Sequence, residues 1–512
     1  MSWTPRTPVA MVLRTAFLHE EADYREGEDR HMKPVWKCAS RVATAILAVS
    51  FAVALAPAWG ADDPPSSQPA AQPASSPATS TDTQQRLAEL EKEVSLLEQE
   101  IAALKDSNTP GLRTAAYVSP GGAPSSAPDG PPPVTLGSLL GSTTFSGFVD
   151  GYYGFNADHP YSNMSGLRAF DQATNAFSLN NTELIVDHPP DAMSNEGRLG
   201  FHVALGYGQA ALAVNNSDPF SDGSNFYVKE AYGSYLAPIG KGLKIDVGRF
   251  VTPFGAEVIE TNANWNYSRS ILFYYAIPYM HFGARAAYTV NKQWALTGYL
   301  VNGWNNTVIS HQFGGVGSSA ALTYGGTVAW TPNAKWAVTE NYMAGPVIDL
   351  YTVNAKENPY TISHWKQLAD TVIAYTPNMK WAFQVNGDYG FGPRYFVCPD
   401  ACTFAPAVQW WGAAAYAKYN FNAKSNFAVR YEYYGDPNGY TLFGSGFSKD
   451  SPHAQEFTGT YSYNLTSGLL VRAEYRYDFA REPIFERGSG QFVKEQDTAT
   501  LGIVYSFNSP SK

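Results

Sequence analysis

Cysteine is scarce in this chain, with three in 512 residues. That excludes a disulfide-dense secreted scaffold. Charge is thin too: Asp, Glu, Lys and Arg make up 16% of the chain and the net charge is −10. Neutralising phosphates takes clustered cations, and no basic run exceeds two residues, so a general nucleic-acid partner is excluded. Beyond Leu55 there is no apolar run of the roughly twenty residues that a bilayer-spanning helix needs. What is abundant is tyrosine, 33 of them, beside 28 phenylalanines and 44 glycines, a mix that favours aromatic-rich β structure over helices.

The first part of the chain has its own logic. In "MKPVWKCASRVATAILAVSFAVALAPAWGADD", Lys33, Lys37 and Arg41 precede an apolar run from Val42 to Leu55 and the small residues Ala58 and Gly60. This is the pattern of a secretory signal peptide over 32–60. Its apolar run of about fourteen residues is too short to span a membrane as a helix. A signal peptide begins near the true start, so the polar stretch 1–31 reads as a misassigned start, and Cys38 leaves with the signal. Residues 61–83, rich in Pro, Ala, Ser and Gln, read as a flexible linker. Leu87, Leu90, Val94, Leu97, Ile101 and Leu104 then follow an alternating 3,4 spacing, the a/d seam of a short coiled-coil helix over 84–106. The Pro/Gly-rich linker 107–141 offers nothing to cover that stripe, so self-association, as a trimer, is expected.

From residue 142 the chain repeats itself. "AYTVNKQWALTGYLVNG" begins at Ala287, "AWTPNAKWAVTENYMAG" at Ala329 and "AYTPNMKWAFQVNGDYG" at Ala374, with looser copies from Lys418 and Thr460. The turn asparagines Asn291, Asn333, Asn378, Asn422 and Asn464 stand 42, 45, 44 and 42 residues apart by subtraction. Each unit holds two long alternating runs. In the last, Leu469, Val471, Ala473, Tyr475, Tyr477 and Phe479 take one face, and Arg472, Glu474, Arg476 and Asp478 the other. Charges on one face and an unbroken apolar row on the other fit a strand between lipid and a polar lumen.

Sixteen such strands are expected, the first near 143–155 and the last near 496–507. Most are about nine to thirteen residues long, matching tilted strands that cross a bilayer. Links are mostly short after even-numbered strands, and long and polar after odd ones. The expected fold is therefore all-β, a transmembrane antiparallel up-and-down barrel over 142–507. Only a closed barrel satisfies every backbone group in lipid. A propeller blade would need four short strands per repeat, and a soluble sandwich would have shorter strands. An even strand count puts both chain ends in the periplasm, with the coiled coil there.

Aromatics recur at fixed distances from the turn asparagine. Tyr288, Trp330, Tyr375, Tyr419 and Tyr461 precede it by three residues, and Trp294, Trp336 and Trp381 follow it by three. Such rings suit the headgroup layer, where an apolar body meets hydrocarbon and a polar tip meets water. The closing strand "TATLGIVYSF" presents Ala499, Leu501, Ile503, Tyr505 and Phe507 outward.

The stretch "VKEAYGSYLAPIGKGLKIDVGRFVTPFGAEV", Val228 to Val258, together with "YYAIPYMHFGARAAY", Tyr274 to Tyr288, resembles the beta-barrel porin-2 (OmpL-like) family of Gram-negative bacteria. The resemblance is densest from about Phe177 to Trp304. It implies an outer-membrane channel with nothing catalytic. Outer-membrane barrels of this kind usually end on an aromatic, whereas here "NSPSK" follows Phe507.

In sixteen-stranded porins the connection between strands five and six folds inward and narrows the pore. Here that connection is 251–280, and its "FGAEVIETNANWNYSRSILFYYAIPYM" sets Glu257, Glu260 and Arg269 among aromatics. Glu257 and Glu260 are expected to face a basic wall of Arg285, Arg430, Arg472 and Arg476, creating a transverse field. The alternative is that these charges pair and pad the lumen. By alternation His202, Glu230, Lys244, Asp246, Glu432, Glu474 and Asp478 also face the lumen, while a bulge obscures the phase of Glu183 and Lys229. Cys398 and Cys402 in "CPDAC" read as a small loop disulfide. A metal would need two more ligands, so neither metal nor cofactor is expected.

The expected function is a passive outer-membrane channel for small hydrophilic solutes, touching lipid outside and solute inside. Two other classes remain open at this stage. An outer-membrane enzyme would need a nucleophile, and no G-x-S-x-G motif occurs. A structural tether would grip peptidoglycan through the coiled coil or linker.

Overall fold

The computed structural model describes residues 143–192, 196–215, 224–309, 321–350, 361–397, 403–443 and 452–509. The expected leader, linkers and coiled coil, as well as Cys398 and Cys402, lie outside these residues.

The wall begins with strands β1 (Thr144–Asn156), β2 (Ala176–His188), β3 (Leu199–Tyr207), β4 (Phe226–Ala237), β5 (Leu243–Val251) and β6 (Met280–Thr289). It continues with β7 (Trp294–Val301), β8 (Thr323–Asn333), β9 (Trp336–Leu350), β10 (Thr361–Tyr375), β11 (Trp381–Val397) and β12 (Thr403–Asn420). β13 (Ser425–Gly435), β14 (His453–Thr466), β15 (Leu469–Ala480) and β18 (Glu495–Asn508) complete it, and β1 pairs antiparallel with β18 to close a sixteen-stranded barrel. β16 (Phe485–Arg487) and β17 (Gln491–Val493) form a separate hairpin in the connection from β15 to β18. Two short helices, α1 (Ala210–Asn215) and α2 (Ile271–Tyr275), lie in connections.

Every expected wall strand is present, but β9 to β12 reach further than the alternation marks. Hydrophobic alternation reports only the part of a strand that meets lipid, whereas backbone pairing continues wherever two strands run side by side. β10 thus begins at Thr361 rather than 368, and β11 runs on to Val397 rather than 389.

Period two holds around the wall. In β18, Leu501, Ile503 and Tyr505 are about half exposed on the outer face, while Val504 between them is fully buried. Outside, the aromatics of successive repeats meet across strands. Trp294 opposes Trp330 and Trp336 opposes Tyr375, with ring centroids 5.6 and 4.2 Å apart. Trp381 opposes Tyr419 at 4.7 Å.

The repeated asparagine also has a reason. The side-chain oxygen of Asn378 accepts the N–H groups of Lys380 at 2.9 Å and Trp381 at 3.0 Å, an Asx turn that reverses the chain. Asn291 and Asn422 make the same pair of bonds, and Asn333 makes one of them. Each turn is then bonded to the next hairpin, by Thr331 N–H to Gln293 O, Thr376 N–H to Lys335 O and Asn420 N–H to Lys380 O, all at 2.8 Å.

Among the register shifts of the wall, those in β2 and β4 change which way a side chain faces. An extra residue in β2, Asn180, falls where the register with β1 shifts between Asp150 and Gly151. An extra residue in β4, Lys229, falls where the register with β3 shifts between Ala204 and Leu205. Such insertions re-aim a side chain, and here both turn it into the lumen.

Candidate channel constriction

The connection from β5 to β6, residues 252–279, lies inside the barrel. Its backbone leaves the wall through Gly255, held at φ +87°, a left-handed conformation that favours glycine. A chain segment away from both water and a sheet must find partners for its peptide groups, and the inward side chains of the wall supply them.

The loop's first stretch sits on β9 to β11. Asp370 accepts the Gly255 N–H at 3.2 Å, Asn386 accepts the Ala256 N–H at 2.9 Å, and Asn341 donates to the Pro253 carbonyl at 3.1 Å. The middle stretch crosses to the far wall. There Arg472 donates to the carbonyls of Thr261, Asn264 and Asn266 at 2.6, 2.5 and 3.1 Å. Glu474 accepts the N–H groups of Tyr267 and Ser268 at 2.6 and 3.0 Å, and Arg476 donates to the Arg269 carbonyl at 2.6 Å.

Helix α2 is fixed by its N-terminus. A helix leaves its first N–H groups unpaired and carries partial positive charge there. Glu432 accepts from Ile271 N–H at 2.5 Å and Leu272 N–H at 2.9 Å, and the Ser270 hydroxyl accepts from Phe273 N–H at 2.9 Å. Behind Ser270, Glu257 bridges its N–H to the guanidinium of Arg430, at 2.7 and 2.6 Å. Arg430 also pairs with Glu456 at 2.5 Å and donates to Ser268 O at 2.7 Å.

On the near side, Tyr267 reaches Asp150 of β1 with its hydroxyl at 2.8 Å, and Thr261 reaches the same carboxylate at 2.6 Å. The Tyr267 phenol is thus held to β1 as a hydrogen-bond donor. Its ring occupies the space above Gly502, where a Cβ would stand 2.3 Å from a ring carbon. Thr261 also takes a bond from Asn180 of β2 at 3.1 Å, and Asn262 donates to Ser506 of β18 at 3.0 Å. Asn266 bonds Thr460 of β14 at 2.7 Å, and Trp410 of β12 donates to Ala276 O at 3.0 Å. With the Lys229 contact below and the bond between His281 of β6 and the Thr252 hydroxyl at 3.3 Å, side-chain bonds tie the loop to β1, β2, β4, β6, β9 to β15 and β18, twelve of the sixteen wall strands.

The charges expected to confront the loop divide into two groups. Arg430, Arg472 and Arg476 do meet it, with Glu257 on Arg430. Glu260 does not face that wall. It is turned the opposite way, to Lys229, which the β4 bulge brings inward between Glu183 and Glu260. Nor does Arg285 take part, because Asp246 lies directly across from it in the β5–β6 register and pairs with it at 2.8 Å. Arg269, rather than projecting into open lumen, folds back on the carbonyls of Tyr267, Val258 and Ile259.

Away from the loop, on β2 to β6, the wall keeps half-exposed polar groups. His202 bonds Asp187 at 2.8 Å and stacks on Tyr232, Lys244 pairs with Asp246 at 3.1 Å, and Arg285 lies over the Tyr232 and Phe250 rings. Side-chain exposures of 25% for Asp187, 22% for Arg285, 17% for His202 and 16% for Lys244 contrast with 0–1% for Arg430, Arg476, Glu456 and Asp478. Glu230 bonds the Val251 N–H at 3.2 Å beside this group. Solvent therefore reaches the lumen along β2 to β6, while the loop covers the opposite wall.

A wall that crosses lipid with aromatic belts and holds a loop across its own interior is the build of a channel. Residues 142–507 match the beta-barrel porin-2, OmpL-like family. The chain belongs to that family. As a member it is an outer-membrane porin, and its barrel forms the channel. Solved structures similar to it include the outer membrane channel DcaP of Acinetobacter baumannii, at 9% identity and a TM-score of 0.47, over 71% of this chain and 97% of that one. An anion-selective porin from Comamonas acidovorans matches at 10% identity and a TM-score of 0.46, over 72% of this chain and 99% of that one. OmpT of Vibrio cholerae, in a trimer form, matches at 11% identity and a TM-score of 0.40, over 71% and 99%. No curated protein matches the chain.

Alternation in the porin's strands missed several loop partners. Asp150, Asn180, Asn341 and Asp370 are inward and buried, yet the roles of all four depend on where the loop lies. The signal was present in "GFVDGYYGF", where Asp150 alternates with outward Val149 and Gly151.

Proposed function

We propose that this porin is a passive, water-filled channel for small hydrophilic solutes and ions, narrowed by its 252–279 loop. The observation that carries this reading is the loop's attachment to twelve wall strands from within. Such a loop limits the cross-section, and the half-exposed side of β2 to β6 lines the route beside it. Selectivity there arises from mixed signs: Asp187 and Glu230 with His202, and Asp246 with Lys244 and Arg285. The channel acts without a catalytic step. The seam 84–106 supports a homotrimer joined by a periplasmic coiled coil, with Cys398 and Cys402 as a disulfide of an outer loop.

Single-channel recording in planar bilayers tests this. The wild type is expected to conduct in potassium chloride, and deletion of 256–276 to raise the conductance severalfold. A deletion variant that inserts with unchanged conductance overturns the constriction, and a wild type that never conducts overturns the channel.

A further inference from the structure

Most cations of the described lumen are occupied. Arg430 and Arg476 hold carboxylates, Arg269 and Arg472 hold carbonyls, and Lys229, Lys244 and Arg285 hold carboxylates. Lys366, inward on β10 at the long-loop end of the barrel, differs. No carboxylate or carbonyl partners its ammonium among the described residues. Instead it lies 3.8 Å from the ring centre of Trp304, 5.4 Å from that of Tyr440 and 5.6 Å from that of Trp410.

These three rings belong to a rigid cluster. Trp410 is fully buried, fixed by its bond to Ala276 O, and packs edge-on against Trp304 at 5.9 Å and at a tilt against Tyr440 at 5.4 Å. Tyr440 is held by its own segment, because Asp436 accepts the N–H groups of Tyr440, Thr441 and Leu442 at 2.9, 2.7 and 2.8 Å. Lys366 is only half-buried, so its ammonium is within reach of solute.

An ammonium over π faces gains attraction but satisfies none of its three N–H donors. Those donors take an oxyanion. Trp304 and Tyr440 beside it are each only half-buried, and their rings bring apolar surface to the same place. We propose that Lys366, Trp304 and Tyr440 form a binding subsite at the outer mouth for carboxylates with a planar, apolar body, above the constriction. This rests on the channel reading and names a solute class for it.

The test uses benzoate as probe and acetate as the small-carboxylate control, in two measurements. In bilayers, millimolar benzoate added on the long-loop side is expected to interrupt the wild-type current, acetate far less. Lys366→Met, which keeps the stem and removes the charge, should weaken benzoate association about tenfold, the loss of one charge-assisted contact. In detergent, 4-nitrobenzoate should quench tryptophan emission saturably in the wild type and more weakly in Lys366→Met and Trp304→Leu. Benzoate and acetate acting alike, or Lys366→Met binding benzoate and quenching as wild type does, overturns the subsite. Saturable quenching that depends on Lys366 in a protein that never conducts keeps the subsite and rejects the channel.

Discussion

Arg430 of β13 and Glu257 of the inward loop meet at 2.6 Å, and no surface of the arginine side chain is exposed. Removing one partner of such a pair leaves the other charged and buried, at a cost of about 3–5 kcal/mol. Arg430→Ala should therefore lower the urea midpoint of the folded barrel and make single-channel currents noisier, as the loop detaches from β13. Arg430→Met combined with Glu257→Gln and Glu456→Gln, which leaves no orphaned charge there, should recover most of the stability. A lone Arg430→Ala with wild-type midpoint and quiet current would contradict this role.

Tyr267 depends on the absence of a side chain at position 502. Gly502→Val would put atoms where the Tyr267 ring now lies. The barrel should still close, since β18 pairs through its backbone, but the Tyr267 to Asp150 bond should break. Hydrogen exchange at 264–268 is the readout, and faster exchange there with unchanged protection in β18 is the expected result.

At the turns, Asn378→Ala removes the acceptor for two backbone N–H groups. Both can turn to water, so the cost should stay near 1 kcal/mol, as for a lost helix cap. Asn378→Asp keeps the acceptor and should fold like the wild type. Refolding into lipid vesicles, followed by gel mobility, separates the two variants.

The outer ring pair Trp336 and Tyr375 stacks at 4.2 Å. A double-mutant cycle to leucine, read from urea unfolding in vesicles, should give a coupling of about 0.5–1.5 kcal/mol. A coupling near zero would mean that each ring acts only through the headgroup layer.

The wall was legible in the sequence because its physics is local. Alternation, the turn asparagine and the aromatics at fixed distances from it all fall within one hairpin, so a single copy such as 329–345 discloses the rule. The loop was legible only in part. Its aromatic content announced that it needs cover, and Arg430, Arg472 and Arg476 were legible as its neighbours. The destination of Glu260 was not, since it follows from one extra residue in β4 that shifts Lys229 inward. Arg285 misled for a related reason: its partner Asp246 stands across a strand register that pattern alone leaves unassigned. The added reach of β9 to β12 was silent because pairing beyond lipid leaves no hydrophobic trace.

The bonds that join each short turn to the next hairpin give the barrel's lower rim the character of a chain of identical links. A chain of that kind can be lengthened by one link without altering the others, so duplicating one hairpin, such as β8 with β9, should still permit closure at a larger circumference. The loop has no such freedom. Its bonds are addressed to particular strands, and a wider circle would carry Arg430, Arg472 and Glu474 away from the peptide groups they hold. In this molecule the number of hairpins is therefore set by the stopper within as much as by the wall itself.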